Sequence, residues 1–340
     1  MRAGLSCDAA APVCCCGEDV KKMRLGIAGT GKIVQEALPV LCQIKPERMI
    51  LMGREGSKER TGELTEKYKL DGYVLDFDAL LAADIDTVYV ALPNALHCEF
   101  AERALLAGKH VIVEKPAAVT KKELEELYKI AAAQKKILVE AMTLHFLPAW
   151  ISLKEKLAEI GEIKLADFQF CQYSSRYDAF RSGETPPVFD PALAGGALMD
   201  LNVYNIHAAV SLFGAPAAVR YHPNMERGID TSGVLTMDYG TFRVVSLAAK
   251  DCQGPNISNI LGTKGCICIP AETNKVDRYE LRTTAGEGYR YDFSDEYHRM
   301  FREFLAFSRM IDQNDPSQAD ELAKISLDVM GVIDQARAYL

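Results

Sequence analysis

Three side chains in one short stretch have the types and spacing to handle a proton together. In Ala194-Gly195-Gly196-Ala197-Leu198-Met199-Asp200-Leu201-Asn202-Val203-Tyr204-Asn205-Ile206-His207, a carboxylate, a phenol and an imidazole stand at i, i+4 and i+7. On a helix that begins after the glycine pair, this spacing turns Asp200, Tyr204 and His207 to one face. There they could form an acid–base cluster. The plainer reading gives Asp200 to the helix dipole, Tyr204 to the core and His207 to a satisfied buried position. A fourth candidate is distant in sequence: Lys115, in Glu114-Lys115-Pro116, directly after the apolar run Val111-Ile112-Val113. Such a run reads as a buried strand of a parallel sheet. Ligands of open α/β sheets gather beyond the carboxyl ends of the strands. A half-enclosed Lys there could hold a lowered pKa and exchange a proton. Pro116 fixes φ and admits a cis peptide bond. The plain alternative is a strand end with a surface ion pair and a helix-starting proline.

These residues need a scaffold, and the first part of the chain predicts one. Arg24 to Ala28 reads as a strand, and Gly29-Thr30-Gly31-Lys32-Ile33-Val34 turns it into a helix running to about Gln43. Gly29 suits the tight turn and Gly31 lets a pyrophosphate approach the helix N-terminus. Val34 stands where the dinucleotide fingerprint has its third glycine. The next strand, Met49 to Met52, ends at Gly53-Arg54-Glu55. About 20 residues past the glycines, an acidic residue grips the ribose of NAD and an arginine suits NADP. Arg54 tilts the choice to NADP, and Glu55 keeps NAD as the rival. Helix 58–68, a strand near 73–74, helix 77–83, strand 87–91, helix 95–107, strand 111–113, helix 121–134 and strand 136–140 follow. This alternation predicts a Rossmann-type, doubly wound parallel sheet over 23–142.

Residues 143–340 read as an α+β substrate and oligomerisation domain. After a helix over 148–159 and a strand over 163–172 comes an irregular segment with Tyr173, Arg176, Tyr177, Arg181, Pro186 and Pro187. Its length suggests a functional loop. Six further strands, separated by turn signals such as Asp238-Tyr239-Gly240, predict a mostly antiparallel sheet. Helices 295–310 and 320–338 close the chain, the last packing back on the first domain. An uncovered face of such a sheet suits a homodimer or homotetramer.

The 340 residues suffice for two cores, and the net charge of −8 disfavours nucleic acid as a partner. No apolar run reaches the roughly 18 residues of a membrane span. Cys7, Cys14, Cys15 and Cys16 have no metal-ligand spacing, and residues 1–22 read as a disordered extension rather than a signal peptide. The remaining cysteines are scattered among apolar residues, as in a cytoplasmic protein, and no metal site is expected.

The order Gly29-x-Gly31-x-Ile33, Leu92-Pro93-Asn94-x-x-His97, Ala107-Gly108-Lys109-His110-Val111, Glu114-Lys115-Pro116 resembles the Gfo/Idh/MocA family. That is the family of glucose–fructose oxidoreductase and inositol dehydrogenase, and the resemblance runs from about Met23 to the C-terminus. The Asp200 stretch is similar to the family's Gly-Gly-Gly-x-Leu-x-Asp-x-Gly-x-(His or Tyr) motif. Tyr204 falls at its catalytic position, as in the glucose–fructose oxidoreductase and dihydrodiol dehydrogenase branch. Ala194 and Asn202 depart from the motif by replacing its first and last glycines. The resemblance implies that Gly29, Thr30, Gly31, Lys32, Ile33 and Arg54 hold the nucleotide. It further implies that Leu92, Pro93, Asn94, His97, Glu114, Lys115 and Pro116 line its nicotinamide half.

The implied reaction is hydride transfer between NADP, or NAD, and a sugar, polyol or related cyclic hydroxy compound. Tyr204 would exchange the hydroxyl proton, its usual value near 10 brought down by a cationic Lys115. Asp200 would orient the pair, and His145, Arg176, Asn202 and His207 would contact substrate. A regulatory NAD(P)-binding sensor without turnover, or a glycoside hydrolase that recycles its NAD, are the alternatives within the same resemblance.

Overall fold

The structure, a computed structural model, describes residues 22–340. The expected N-terminal extension, with its four cysteines, therefore lies outside the described residues but for Lys22.

Strands and helices alternate through the first half: β1 (Arg24–Ala28), α1 (Lys32–Ile44), β2 (Arg48–Met52), α2 (Lys58–Tyr68), β3 (Gly72–Val74), α3 (Phe77–Ala82), β4 (Thr87–Val90), α4 (His97–Leu106), β5 (His110–Glu114), α5 (Lys121–Ala133) and β6 (Leu138–Ala141). All the pairings are parallel, in the order β3-β2-β1-β4-β5-β6. The chain winds outward in both directions from β1, so the crevice opens between β1 and β4 at their carboxyl ends. β4, β5 and β6 are buried along their whole lengths, which explains their near-continuous apolar sequences. Among the exceptions to that apolarity, Glu114 at the end of β5 and Glu140 inside β6 are buried carboxyl groups that need partners.

The second half contributes α6 (Pro148–Lys156), β7 (Ile163–Cys171), α7 (Tyr177–Arg181), α8 (Val203–Phe213), β8 (Ala218–Glu226), β9 (Ile229–Asp238), β10 (Arg243–Ala249), β11 (Ser258–Gly262), β12 (Gly265–Ile269), β13 (Arg278–Thr283), β14 (Gly288–Asp292), α9 (Phe301–Gln313) and α10 (Ser317–Arg337). Its sheet runs β14-β13-β12-β11-β7-β10-β9-β8 and is antiparallel except where β7 and β10 pair in parallel. Along β7 and β10 one set of alternate residues, including Ala166, Phe168, Phe170, Val244, Ser246 and Ala248, is buried. α8 lies against this inner face, and α10 packs on α8 and on α5 and β6 of the first layer. α9 packs on α1.

Three local features depart from the sequence expectation. β14 went unread, because its Gly-Tyr-Arg-Tyr-Asp edge strand is short and mostly exposed, and only Tyr291 packs on the core. α9 begins at Phe301 rather than at 295, since the Asp295 carboxylate accepts from the Tyr297 amide and holds those residues in a turn. The stretch before α8 is not one regular helix. Leu198–Asn202 forms a π-helical turn that runs into it, so the i, i+4, i+7 stripe expected of Asp200, Tyr204 and His207 is broken.

Candidate active site

At the β1–α1 turn, Gly29 has φ +123°, and a Cβ there would come within 2.4 Å of the Ala91 carbonyl oxygen. Only glycine fits that turn. At Gly31 an added Cβ would meet nothing within 4 Å, so the space beside the α1 N-terminus is open. Gly31 offers no side-chain cap and the first turn of α1 carries no acidic residue. The leading amides of Lys32 and Ile33 therefore face an open, uncapped end that suits a pyrophosphate. Thr30 holds this turn through its carbonyl, which accepts from Gln35 at 3.2 Å. Val34, in place of the third fingerprint glycine, is fully buried in the core. Arg54 is exposed just past β2, its amide bonded to Ser57 Oγ, and its guanidinium can meet a second phosphate.

The catalytic candidates converge from three elements. Lys115 Nζ donates to Asp200 Oδ1 at 3.0 Å and to the Asp200 carbonyl at 2.8 Å, and it lies 4.8 Å from the centre of the Tyr204 ring. The Lys115–Pro116 peptide is cis. Burial pushes the Lys115 ammonium down, but a phenolate at Tyr204, whenever one forms, and the Asp200 carboxylate outweigh it and hold the group above its ordinary value. The lowered pKa expected from a half-enclosed lysine is therefore corrected: the group is shifted up, toward the ammonium. Burial also raises the Tyr204 phenol, and Lys115 and Arg299 pull it back without cancelling that rise. The phenol is thus held protonated at neutral pH, not brought below its usual value.

Asp200 has a second partner that sequence reading missed. Lys250 Nζ lies 2.5 Å from Asp200 Oδ2 and donates to the Val188 carbonyl at 3.1 Å. Burial alone would raise the Asp200 carboxyl, but Lys250 and then Lys115 hold it well below the usual carboxylate range. A signal for Lys250 was present: it is in phase with Val244, Ser246 and Ala248, the inward positions of β10. Glycines before the π-turn let Asp230 approach. A Cβ at Gly196 would sit 2.0 Å from Asp230 Oδ1, while Asp230 Oδ2 accepts from the Leu198 amide at 2.7 Å. Ala194, where the family motif has glycine, adopts the left-handed conformation with φ +53°.

Other expected residues are placed as follows. Asn94 donates its amide to the Ala194 carbonyl at 2.9 Å, joining the loop after β4 to the glycine stretch. His97 is buried with Nδ1 2.8 Å from the Pro116 carbonyl and Nε2 2.7 Å from that of Leu92. Burial favours the neutral ring, whose one N–H donates to one of these two carbonyls, so His97 sits between the Leu92-Pro93 loop and the Lys115-Pro116 loop. Glu114 is buried against the Tyr89 hydroxyl, which donates to it, and burial raises its carboxyl.

The four residues expected to meet substrate lie apart from Lys115. His207 is fully buried, 3.3 Å from Glu140 Oε2 and 3.0 Å from His145 Nε2. His145 thus leans on His207, and burial holds its imidazole well below the ordinary value. Asn202 is fully buried too: its side-chain oxygen accepts from Ser246 and, at 3.3 Å, from Asn205. The π-turn directs it toward β10. Arg176 is exposed at the start of α7. A surface hollow of about 490 Å³ between α6 and α9, walled by Phe146, Ile151, Phe293 and Leu305, contains none of these groups. The convergent charged groups, not that hollow, mark the chemistry.

Behind Tyr204 lies a polar cluster that the sequence did not suggest. Arg299 pairs with Glu36 of α1 at 3.1 Å, and Thr143 donates to Glu303 Oε1 at 3.0 Å. Among the described residues, the buried Glu303 Oε2 has no hydrogen-bond partner. Burial and then the neighbouring Glu114 push the Glu303 carboxyl up to about 8.

Comparison with known proteins identifies the family of the two halves. Residues 23–142 match the model of an oxidoreductase family with an NAD-binding Rossmann fold, and residues 152–268 match the GFO/IDH/MocA C-terminal domain. The chain is 35% identical over 320 residues to scyllo-inositol 2-dehydrogenase (NADP(+)) IolU of Bacillus subtilis (strain 168), covering 94% of this chain and 97% of that protein. It is 27% identical to the trans-1,2-dihydrobenzene-1,2-diol dehydrogenase of Mus musculus, over 72% of this chain and 73% of the other. The fold matches that of KijD10, a 3-ketoreductase from Actinomadura kijaniata solved with NADP and TDP-benzene, with a TM-score of 0.81 at 24% identity over 93% and 97% of the two chains. The chain belongs to the Gfo/Idh/MocA oxidoreductase family.

Proposed function

We propose that the protein is an NADP-dependent dehydrogenase or reductase that interconverts a hydroxyl and a carbonyl on a sugar, cyclic polyol or related ring compound. The observation that carries this is the meeting of Lys115, Asp200 and Tyr204 beside a glycine turn shaped for a dinucleotide. Gly29 to Ile33 and the uncapped start of α1 would hold the pyrophosphate, and Arg54 a 2′-phosphate. When bound, the nicotinamide supplies or accepts the hydride.

The chain's own residues handle the proton. Tyr204, held protonated, donates its hydroxyl proton to the oxygen that becomes the alcohol, and takes one back in the reverse direction. Lys115 stabilises the phenolate left behind. Two of its three N–H donors are fixed by Asp200, which leaves the third for Tyr204 or the substrate oxygen. Support for a cyclic polyol comes from the inositol dehydrogenase relative. A sensor without turnover has no need of this proton-handling set.

A nicotinamide absorbance assay tests the reading. The full-length protein with NADP+ and a panel of inositols, pyranoses and dihydrodiols is expected to form NADPH with at least one of them, and Tyr204→Phe to lose about 100-fold or more in kcat. No turnover in either direction across the panel would overturn it. We further propose that a second copy covers the outer face of the large sheet, where Leu165 and Leu261 are exposed side by side on β7 and β11 and Val234 is exposed on β9, beyond β10. The six described cysteines, all free thiols, fit a reducing cytoplasm.

A further inference from the structure

We propose that Lys250 is a positioning residue for this chemistry. It takes one oxygen of Asp200 and the main chain of the 173–194 segment, and leaves the other oxygen to hold Lys115 against Tyr204. The inference rests on the function proposed above and deepens it.

Lys250 is 1% exposed. A buried ammonium is tolerated only where its donors and its charge are both met. Its Nζ meets Asp200 Oδ2 and the Val188 carbonyl, and it lies 4.8 Å from the centre of the Phe189 ring. Its backbone is fixed as well: the amide donates to the Thr231 carbonyl at 2.8 Å, and the carbonyl accepts from the Ser174 amide at 2.8 Å. Lys250 therefore grips the segment between β7 and the π-turn at two places, Ser174 and Val188. Through Asp200 it connects both to the reacting groups.

The division of labour between the two lysines follows from exposure. The Lys115 side chain keeps 12% of its surface open, against 2% for Lys250, so Lys115 is the one that reaches the cleft. Asp200 then receives three donors, two from Lys115 and one from Lys250. Two ammonium groups around one carboxylate leave a net positive charge beside the phenol. With Lys250 neutral, Asp200 and Lys115 cancel, and the phenolate loses that support. Tyr204 is also faced by Arg299, Glu114 and Glu303, none of which changes on replacing Lys250.

Lys250→Met and Lys250→Gln remove the charge, and Lys250→Arg keeps it. Each variant is checked for folding by thermal melting and for NADPH binding by fluorescence. Tyr204 is followed in two ways: by the pH dependence of kcat/KM, and by NMR of protein labelled at tyrosine Cζ, with the resonance assigned through Tyr204→Phe. The neutral variants are expected to bind NADPH within about twofold of the parent and to lose about tenfold or more in kcat, with KM little changed. Both readouts of the phenol should move about one unit to higher pH, a tenfold change in its equilibrium, and Lys250→Arg should return it most of the way.

Folded neutral variants with unchanged kcat and an unmoved phenol would overturn the proposal. So would failure of both neutral variants to fold while Lys250→Arg does, which would make Lys250 structural only. An inactive parent would instead defeat the proposed function, and the NMR titration would still decide the part played by Lys250.

Discussion

Asp200, partly open to water, and Glu303, fully buried, are two carboxyl groups near Tyr204, and they end in opposite states. Burial pushes both toward the protonated form. Around Asp200 two ammonium groups reverse that push, so it is a firm carboxylate. Around Glu303 the nearest charges are Glu114, of the same sign, and Arg299, which already pairs with Glu36. Its carboxyl therefore stays protonated into the mildly alkaline range. The partners reverse the effect of burial at Asp200 and do not at Glu303. The Lys115 side gathers charge, and the rear side keeps its acid neutral beside the core.

The strongest way to break this contrast is to remove Lys115. Lys115→Met strips Asp200 of two of its three donors and takes the cation from the Tyr204 ring. Turnover is expected to fall by roughly a thousandfold or more, in line with loss of a group that supports acid–base transfer. NADPH affinity, measured by fluorescence titration, should stay within about threefold, because the glycine turn and Arg54 lie elsewhere. A variant that still turned over at the parental rate would remove Lys115 from the mechanism.

Asp200→Asn attacks the same side from the acid. It leaves Lys115 and Lys250 without the carboxylate they share, and with only the more remote charges of Glu114 and Asp230. Breaking a fully buried pair costs about 3–5 kcal/mol. The Asp200 side chain keeps 29% of its surface, so water screens part of the loss and about 2 kcal/mol is expected from denaturant melts. Turnover should fall about 100-fold, since Asn keeps an acceptor for Lys115 without the charge. Unchanged stability would mean that the two lysines do not depend on Asp200.

How far the sequence carried differs between the two sides for the same reason. The parallel sheet, the glycine turn, Lys115, Asp200 and Tyr204 were legible because short motifs and period-two or period-3.6 patterns mark them locally. His207 was misplaced by the same logic, because a π-turn changed the phase that the spacing assumed. Asn202 was drawn inward with it, onto Ser246. Lys250 was readable in principle from strand parity, but a lysine at a strand end is ordinarily solvated. The rear cluster was not readable at all. Glu36, Thr143, Arg299 and Glu303 come from elements far apart in the chain, and nothing in the local sequence of each shows that α9 lies across α1 and the segment after β6.

The smallest expected effect falls on that rear side and tests it through pH. Glu303 has a folded value near 8 against an ordinary value of 4.5. Its native form therefore holds a proton that the unfolded chain gives up at lower pH. Stability from this group is fully present below 4.5 and is lost as pH rises through about 8. Glu303→Gln copies the protonated acid, keeps an oxygen for Thr143 and cannot ionise. The variant and the parent should melt alike near pH 4.5, and the variant should gain as pH rises to 8, by about 3 °C or more. Turnover should change by less than about threefold, because Glu303 faces Tyr204 only at long range. Melting curves that stay parallel from pH 4.5 to 9 would show that folding does not shift Glu303 from its ordinary value of 4.5, so that it is ionised at neutral pH. The two carboxyl groups would then share one state, and the contrast between the sides would fail.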